Sequence, residues 1–194
     1  MSTRDKILAA VLQNQPEASP LPDISVFSVN YENIIRQYID TFLEIGGNAF
    51  LVDDLAMATT LIRGNFDFSK RILTTLPELN AIAELYSPDA DPHTFEDVEL
   101  AIITTHLAVA ENGAVWLTEK DMGQRIIPYI CQHLAVIIPA ASIVSTMHEA
   151  YEKIGTGDYG FGGFIGGPSK TADIEQALVL GAHGPLTMTV FVLK

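Results

Sequence analysis

The sequence predicts an α/β fold with a largely parallel sheet. Short apolar runs alternate with stretches of helical periodicity, and hairpin signals between them are scarce. Strands of that kind, buried on both faces and separated by helices, belong to parallel sheets covered on both sides. Hydrophobic residues make up 48% of the chain and charged residues 18%, the balance of a globular protein with a real core. At 194 residues the chain suits one well-buried domain better than two.

Residues 3–13 read as a helix, with Ile7, Leu8, Val11 and Leu12 along one face. Residues 14–24 carry three prolines, Pro16, Pro20 and Pro22, and read as an extended connector. Residues 1–29 therefore form a helix and proline-rich arm that packs on the domain or on a neighbouring subunit, and residues 30–194 form the domain. Tyr31 to Ile45 has helical spacing at Ile34, Ile35, Tyr38, Ile39, Phe42 and Leu43, and Gly46-Gly47 ends it. Residues 49–52 read as a buried strand, Asp53-Asp54 as the next cap, and residues 54–63 as a helix closed by Gly64. Residues 79–85 fit a short helix or a strand equally. Thr94 to Asp97 reads as a helix or turn entry.

Residues 100–104 are a strand, and His106 to Glu111 one helical turn. Asn112-Gly113 is a strong turn dipeptide before a strand at 114–117. Residues 124–132 fit a helix loosely, and 133–138 are a buried strand ended by Pro139. Ser142 to Lys153 reads as a helix with Ile143, Met147, His148 and Tyr151 on one side. Thr187 to Leu193 alternates as a final strand, which together with the Asn112-Gly113 turn leaves an antiparallel edge open.

Nine of the fourteen glycines lie between Gly155 and Gly184. In that stretch Phe161, Phe164 and Ile165 are strand-like, and Gly166-Gly167-Pro168 breaks the chain sharply. Ser169, Thr171 and Asp173 then favour a helix start, where short side-chain oxygens accept from unpaired first-turn N–H groups. Strand, glycine turn and capped helix would make a pocket of N–H donors suited to an anion, or simply a tight loop whose caps satisfy the backbone. On parallel sheets ligands bind at the carboxyl ends of strands. Thr104, Glu111 and the Gly166 turn would lie there if their segments are neighbouring strands.

The net charge of −13 argues against nucleic acid, whose phosphates need a basic face, and against anionic membranes. It permits a local anion pocket made from backbone dipoles. No apolar run approaches the about 20 residues of a membrane span, and the start resembles no secretory leader. These features place the chain in the cytoplasm. Cys131, the single cysteine, sits among apolar residues as an inert thiol and can neither pair internally nor hold an iron–sulfur cluster.

Glu111, between Ala-Val-Ala and Asn-Gly-Ala-Val, fits a partly desolvated general base or nucleophile, or else a surface turn residue. Asp173 suits a cap or a ligand hydroxyl, and Glu175 a capping-box partner. Lys170 suits an anion partner or a solvated loop, and His183, between Gly181-Ala182 and Gly184-Pro185, an exposed turn. His93, His106 and His133 show no metal-ligand spacing, and His148 reads as packing. Gly155-Thr-Gly-Asp-Tyr-Gly160 matches the dinucleotide string by letter but follows a helix instead of a strand, so that reading is rejected.

Two blocks carry a family resemblance. Gly167-Pro-Ser-Lys-Thr-Ala-Asp-Ile-Glu175, continuing to Leu180-Gly-Ala-His-Gly-Pro185, resembles the closing signature of the LUD domain, the family of lactate-utilisation protein C. Ala110-Glu-Asn-Gly-Ala-Val115 is similar to its other block. Asn112 stands in place of a usual threonine, and Lys170 in place of a common arginine, which turns a bidentate clamp into a point charge.

The resemblance implies a three-layer α/β/α domain of the type shared with ribose-5-phosphate isomerase, glucosamine-6-phosphate isomerase and CoA transferases. It implies a role in lactate utilisation, as a subunit or accessory factor of an iron–sulfur system that oxidises L-lactate, with the clusters held only by partner proteins. The implied site is a small-anion pocket. Glu111 and His183 would be its polar groups, and Thr104, Gly166, Gly167, Ser169, Lys170, Thr171 and Asp173 its ligand-binding residues, with no metal. A stand-alone enzyme of that fold, acting on a phosphorylated or CoA-linked molecule, is the alternative.

Overall fold

The computed structural model describes residues 2–157, 159–172 and 178–194. Its helices are α1 (Thr3–Gln13), α2 (Ile34–Glu44), α3 (Leu55–Asn65), α4 (Glu119–Met122), α5 (Ile127–Ile130) and α6 (Met147–Ile154). Its strands are β1 (Asn48–Val52), β2 (Arg71–Thr74), β3 (Glu84–Leu85), β4 (Val98–Thr104), β5 (Ala108–Val109), β6 (Val115–Thr118), β7 (His133–Pro139), β8 (Ile143–Val144), β9 (Gly162–Ile165), β10 (Lys170–Ala172), β11 (Leu178–Leu180) and β12 (Thr187–Leu193). No helix among the described residues is long and apolar enough to cross a membrane.

Six strands form one sheet in the order β1-β12-β7-β4-β2-β3, and every neighbouring pair is parallel. Side chains alternate across a strand, so each central strand feeds two cores. Met188, Val190 and Val192 of β12 join Tyr38 and Phe42 of α2 on one face. Phe191, with Ala135 and Ile137 of β7, meets Ala58 and Ile62 of α3 on the other. A smaller sheet, ordered β8-β5-β6-β9, lies on the α2 side. Its Trp116 and Val109 face outward, where α6 covers them through Ala150. The expected three layers are therefore present, and the layer containing α2 also holds the small sheet.

Local signals account for most helix ends. Asn33 Oδ1 accepts from Arg36 N at 2.9 Å, and Asp54 Oδ1 from Met57 N at 2.7 Å, so both side chains cap the first turn. Gly64 does not close α3 as expected but lies inside it, with nothing within 4 Å of where a Cβ would sit. Gly64→Ala is accordingly expected to raise the unfolding free energy by about 0.5–1 kcal/mol, because alanine loses less entropy in a helix. A urea denaturation curve checks this.

Several expectations are corrected. The final strand is no antiparallel edge: β12 is interior and parallel between β1 and β7, while β1 is the edge and only partly buried. Residues 106–111 form no helical turn; Ala108–Val109 pair antiparallel with β6 and parallel with β8. The helix expected from Ser142 begins at Met147, because Ile143 and Val144 are claimed by that pairing and Thr146 Oγ1 accepts from Glu149 N at 3.3 Å. Strand β2 gave little apolar signal, with Ile72 and Leu73 between Arg71 and Thr74. Arg71 fixes it, pairing with Glu84 at 2.8 Å and Asp97 at 2.6 Å. The guanidinium holds both carboxyls below their usual range. This stabilisation is present above that range and is lost as pH falls through the lowered values.

Helix α1 buries no residue. The arm reaches the domain through Phe27, whose ring stacks on His148 with centroids 5.8 Å apart.

Candidate functional site

The end of α2 is where the two sequence blocks meet. Gly113 has φ +72°, a conformation that glycine adopts at no steric cost, and a Cβ there would lie 2.9 Å from Ile45 Cδ1. Asn112 Oδ1 accepts from Ala114 N at 3.0 Å, closing an Asx turn that presents Gly113 to the helix. From the other block, Gly167 (φ +74°) approaches the same residue, with its would-be Cβ 3.2 Å from Ile45 O. Lys170 Nζ donates to Ile45 O. A lysine at carbonyls left unpaired by a helix C-terminus also complements the helix dipole. Gly166 lies beside Asn112 and Ala114. Glycines therefore appear in both blocks where the chain must pass close to Ile45.

Ser169 ties the closing block together. Its N–H donates to Pro185 O at 2.9 Å, its carbonyl accepts from Gly181 N at 3.1 Å, and its hydroxyl oxygen accepts from His183 N at 3.4 Å. No helix starts at Ser169 or Thr171, although the residue types there favour one: among the described residues Lys170–Ala172 pairs antiparallel with Leu178–Leu180. Thr171 Oγ1 donates to Val179 O at 3.3 Å within that hairpin. Asp173 and Glu175 lie outside the described residues. His183 is exposed.

Glu111 is exposed at the turn after β5 and not desolvated. Its Oε2 accepts from Met147 N at 2.8 Å, at the N-terminus of α6, a position that stabilises a carboxylate. Thr104 ends β4, half-buried, with Oγ1 donating to Ile137 O at 3.1 Å. Gly166, Gly167 and Lys170 are thus gathered with Asn112 and Gly113 around Ile45, while Ser169 is tied to the turn at Gly181–Pro185. That junction precedes β1 and β12, at the amino edge of the main sheet, whereas Thr104 is at the carboxyl edge. The expected common crevice at the strand carboxyl ends does not include both.

Cys131 is buried, and burial pushes its thiol from 9.0 up to about 12. It should resist a disulfide-exchange reagent at pH 8 until the protein unfolds. The folded thiol keeps its proton to higher pH than the unfolded one. Stability is therefore expected to decline as pH rises from 9.0 towards about 12, and Cys131→Ala to abolish that component.

The LUD domain profile matches residues 90–193. Lactate utilization protein C of Geobacillus kaustophilus is 32% identical over 196 residues, covering 96% of this chain and 78% of that protein. The proteins of the same name from Shouchella clausii and Geobacillus thermodenitrificans are 34% and 33% identical, over 47% and 50% of this chain. Those alignments span only 42% and 43% of the two relatives' own length. Among solved structures, a DUF162 family protein from Deinococcus radiodurans superposes with a TM-score of 0.63 at 16% identity, over 86% of this chain and 100% of that one. At that identity the likeness speaks to the fold alone.

Proposed function

The chain belongs to the LUD-domain family, and from that premise we propose that it serves lactate utilisation as a subunit or accessory factor of an iron–sulfur system that oxidises L-lactate. The clusters would belong to its partners. The observation that carries the reading is the convergence of both family blocks on Ile45, through Gly113, Gly167 and Lys170. A small carboxylate such as lactate or pyruvate would lie against the Gly166–Gly167 turn, drawn by the Lys170 charge, with Glu111 and His183 as the flanking polar groups.

Two measurements test this. In a bacterium lacking its own lactate utilization protein C, the wild-type chain is expected to restore growth on L-lactate. Lys170→Ala is expected to restore it poorly, although the variant remains folded. Affinity capture from that strain should recover cysteine-rich iron–sulfur proteins. Failure of both rescue and capture would sink the proposal. Thermal-shift titration with lactate and pyruvate tests the anion site separately, and wild-type protein insensitive to both would remove it.

The exposure of Glu111 on a turn favours a second reading, a stand-alone acyl transferase with this carboxylate as acceptor. A mass increase on Glu111 after incubation with acyl-CoA would support it, and unchanged mass across a panel of acyl-CoAs would dismiss it.

A further inference from the structure

A cleft of about 410 Å³ opens at the amino edge of the main sheet, on its α3 face. Thr187 and His133 are register partners on β12 and β7, and His133 Nδ1 lies 2.7 Å from the Thr187 hydroxyl oxygen. The other ring nitrogen, Nε2, is 3.6 Å from Glu99 Oε1 on β4. The three side chains make a continuous polar row across three adjacent strands.

Glu99 takes part because β4 is irregular there. Arg71 pairs with Val98 and Ile72 with Leu100, which leaves Glu99 as the extra residue of a β-bulge. Val98 packs into the α2-side core and Leu100 into the α3-side core, although residues two apart in a regular strand share a face. Bulges give up regular pairing and re-aim a side chain, and they concentrate near functional sites. Here the re-aimed side chain is the carboxylate facing His133. Phe66 leans over the imidazole, with centroids 5.6 Å apart and planes at 52°. Asn65 and Asp67, on either side of Phe66 in sequence, also line the cleft.

This chemistry selects a ligand class. The volume is that of a small-molecule pocket. Among the described residues no lysine or arginine lines the cleft, while Glu99 and Asp67 do. Hydrogen bonds from Ser69 hold the Asp67 carboxyl below its usual range, so it stays ionised. An anion would meet two carboxylates, Glu99 beside the His133 ring and Asp67 near Lys70, which disfavours lactate and phosphate esters. What remains well matched is an array of acceptors and amides around an aromatic ring. Carboxylates accept from ligand hydroxyls, the Asn65 amide both donates and accepts, and the Phe66 ring offers an apolar surface to C–H groups.

We propose that this cleft is a ligand site separate from the Ile45 junction, taking a small uncharged polyhydroxylated molecule oriented by the Glu99–His133–Thr187 row. The bland alternative is that the row only staples three strand starts. Histidine ring signals of the full chain, followed by NMR during titration with glucose and with myo-inositol, distinguish the two. The His133 signal, assigned with His133→Gln, is expected to shift saturably with at least one polyol and not with L-lactate. Glu99→Gln is expected to weaken that binding about tenfold, since it removes a charged hydrogen-bond acceptor. Phe66→Leu should weaken it while leaving the row in place.

Three results would overturn the proposal. One is no saturable shift with either polyol, and another is stronger binding of choline than of the polyols. The third is unchanged polyol affinity in Glu99→Gln together with a lowered melting temperature, the behaviour of a strand staple. Because the polyols are uncharged and choline is a cation, none of these probes reports on an anion site, and each of these results leaves the lactate reading at Ile45 intact.

Discussion

Phe42→Ala is expected to lower the unfolding free energy by about 3–5 kcal/mol, the usual loss for removing a wholly enclosed aromatic ring. Phe42 is completely buried. It stacks on Tyr38 with centroids 5.9 Å apart and shares the α2-side core with Val190 and Val136. It also supports the site, because a Cβ on Gly47 would overlap its ring and one on Gly113 would touch it. Alanine there leaves a cavity directly beneath the turn that presents Asn112 and Gly113. Urea denaturation measures the loss. Thermal-shift titration with lactate should show weaker anion binding in the surviving folded fraction, while the His133 signal in the cleft on the other face of the sheet keeps its wild-type position. A loss below about 1 kcal/mol would mean that the α2 contact closes around the gap, contrary to the packing described.

Gly113→Val is expected to cost about 2–5 kcal/mol from two sources that add at one residue. Valine is strained at φ +72°, and its Cβ would press on Ile45 Cδ1 at 2.9 Å. Gly113→Asn separates the two sources, since asparagine tolerates the left-handed region and retains only the steric part. The order of stability should be wild type, then asparagine, then valine, measured by the denaturation midpoint. If asparagine were as damaging as valine, crowding against Ile45 would be the whole effect. Anion binding at the Ile45 junction is expected to be lost in the valine variant before the fold is, because the turn moves away from Gly166 and Lys170.

Most of the regular elements were legible in the chain. Helix α2 has apolar residues at helical spacing and an Asn33 cap, and β4 and β7 are apolar runs legible as buried strands, whereas β12 was legible as a strand but not as an interior one. The burial of Cys131 followed from its neighbours. The elements that escaped are those whose only support is a distant partner. Ala108–Val109 is too short to show any period and exists as a strand because β6 and β8 flank it. Ser169 and Thr171 are residue types of a helix start, yet the pairing of Lys170–Ala172 with Leu178–Leu180 outweighs that local preference. Glu99 lies just before the strand expected at 100–104, behind Glu96-Asp97-Val98, and nothing local announced the bulge that turns it towards His133. The importance of His133 was invisible for the same reason. Its partners Glu99 and Thr187 lie 34 and 54 residues away and become neighbours only through strand order.

By itself, then, the sequence determined a parallel α/β domain, two glycine-bearing blocks of the LUD type and a chain too acidic for nucleic acid. Those properties rest on period, composition and local motif, which act over a few residues. Only the tertiary structure decided that β12 is inserted between β1 and β7, that both blocks close on Ile45, and that Glu99, His133 and Thr187 share one cleft. Each of these depends on which strand pairs with which, and in what register. That choice is made by burying two cores at once, and no short-range signal encodes it.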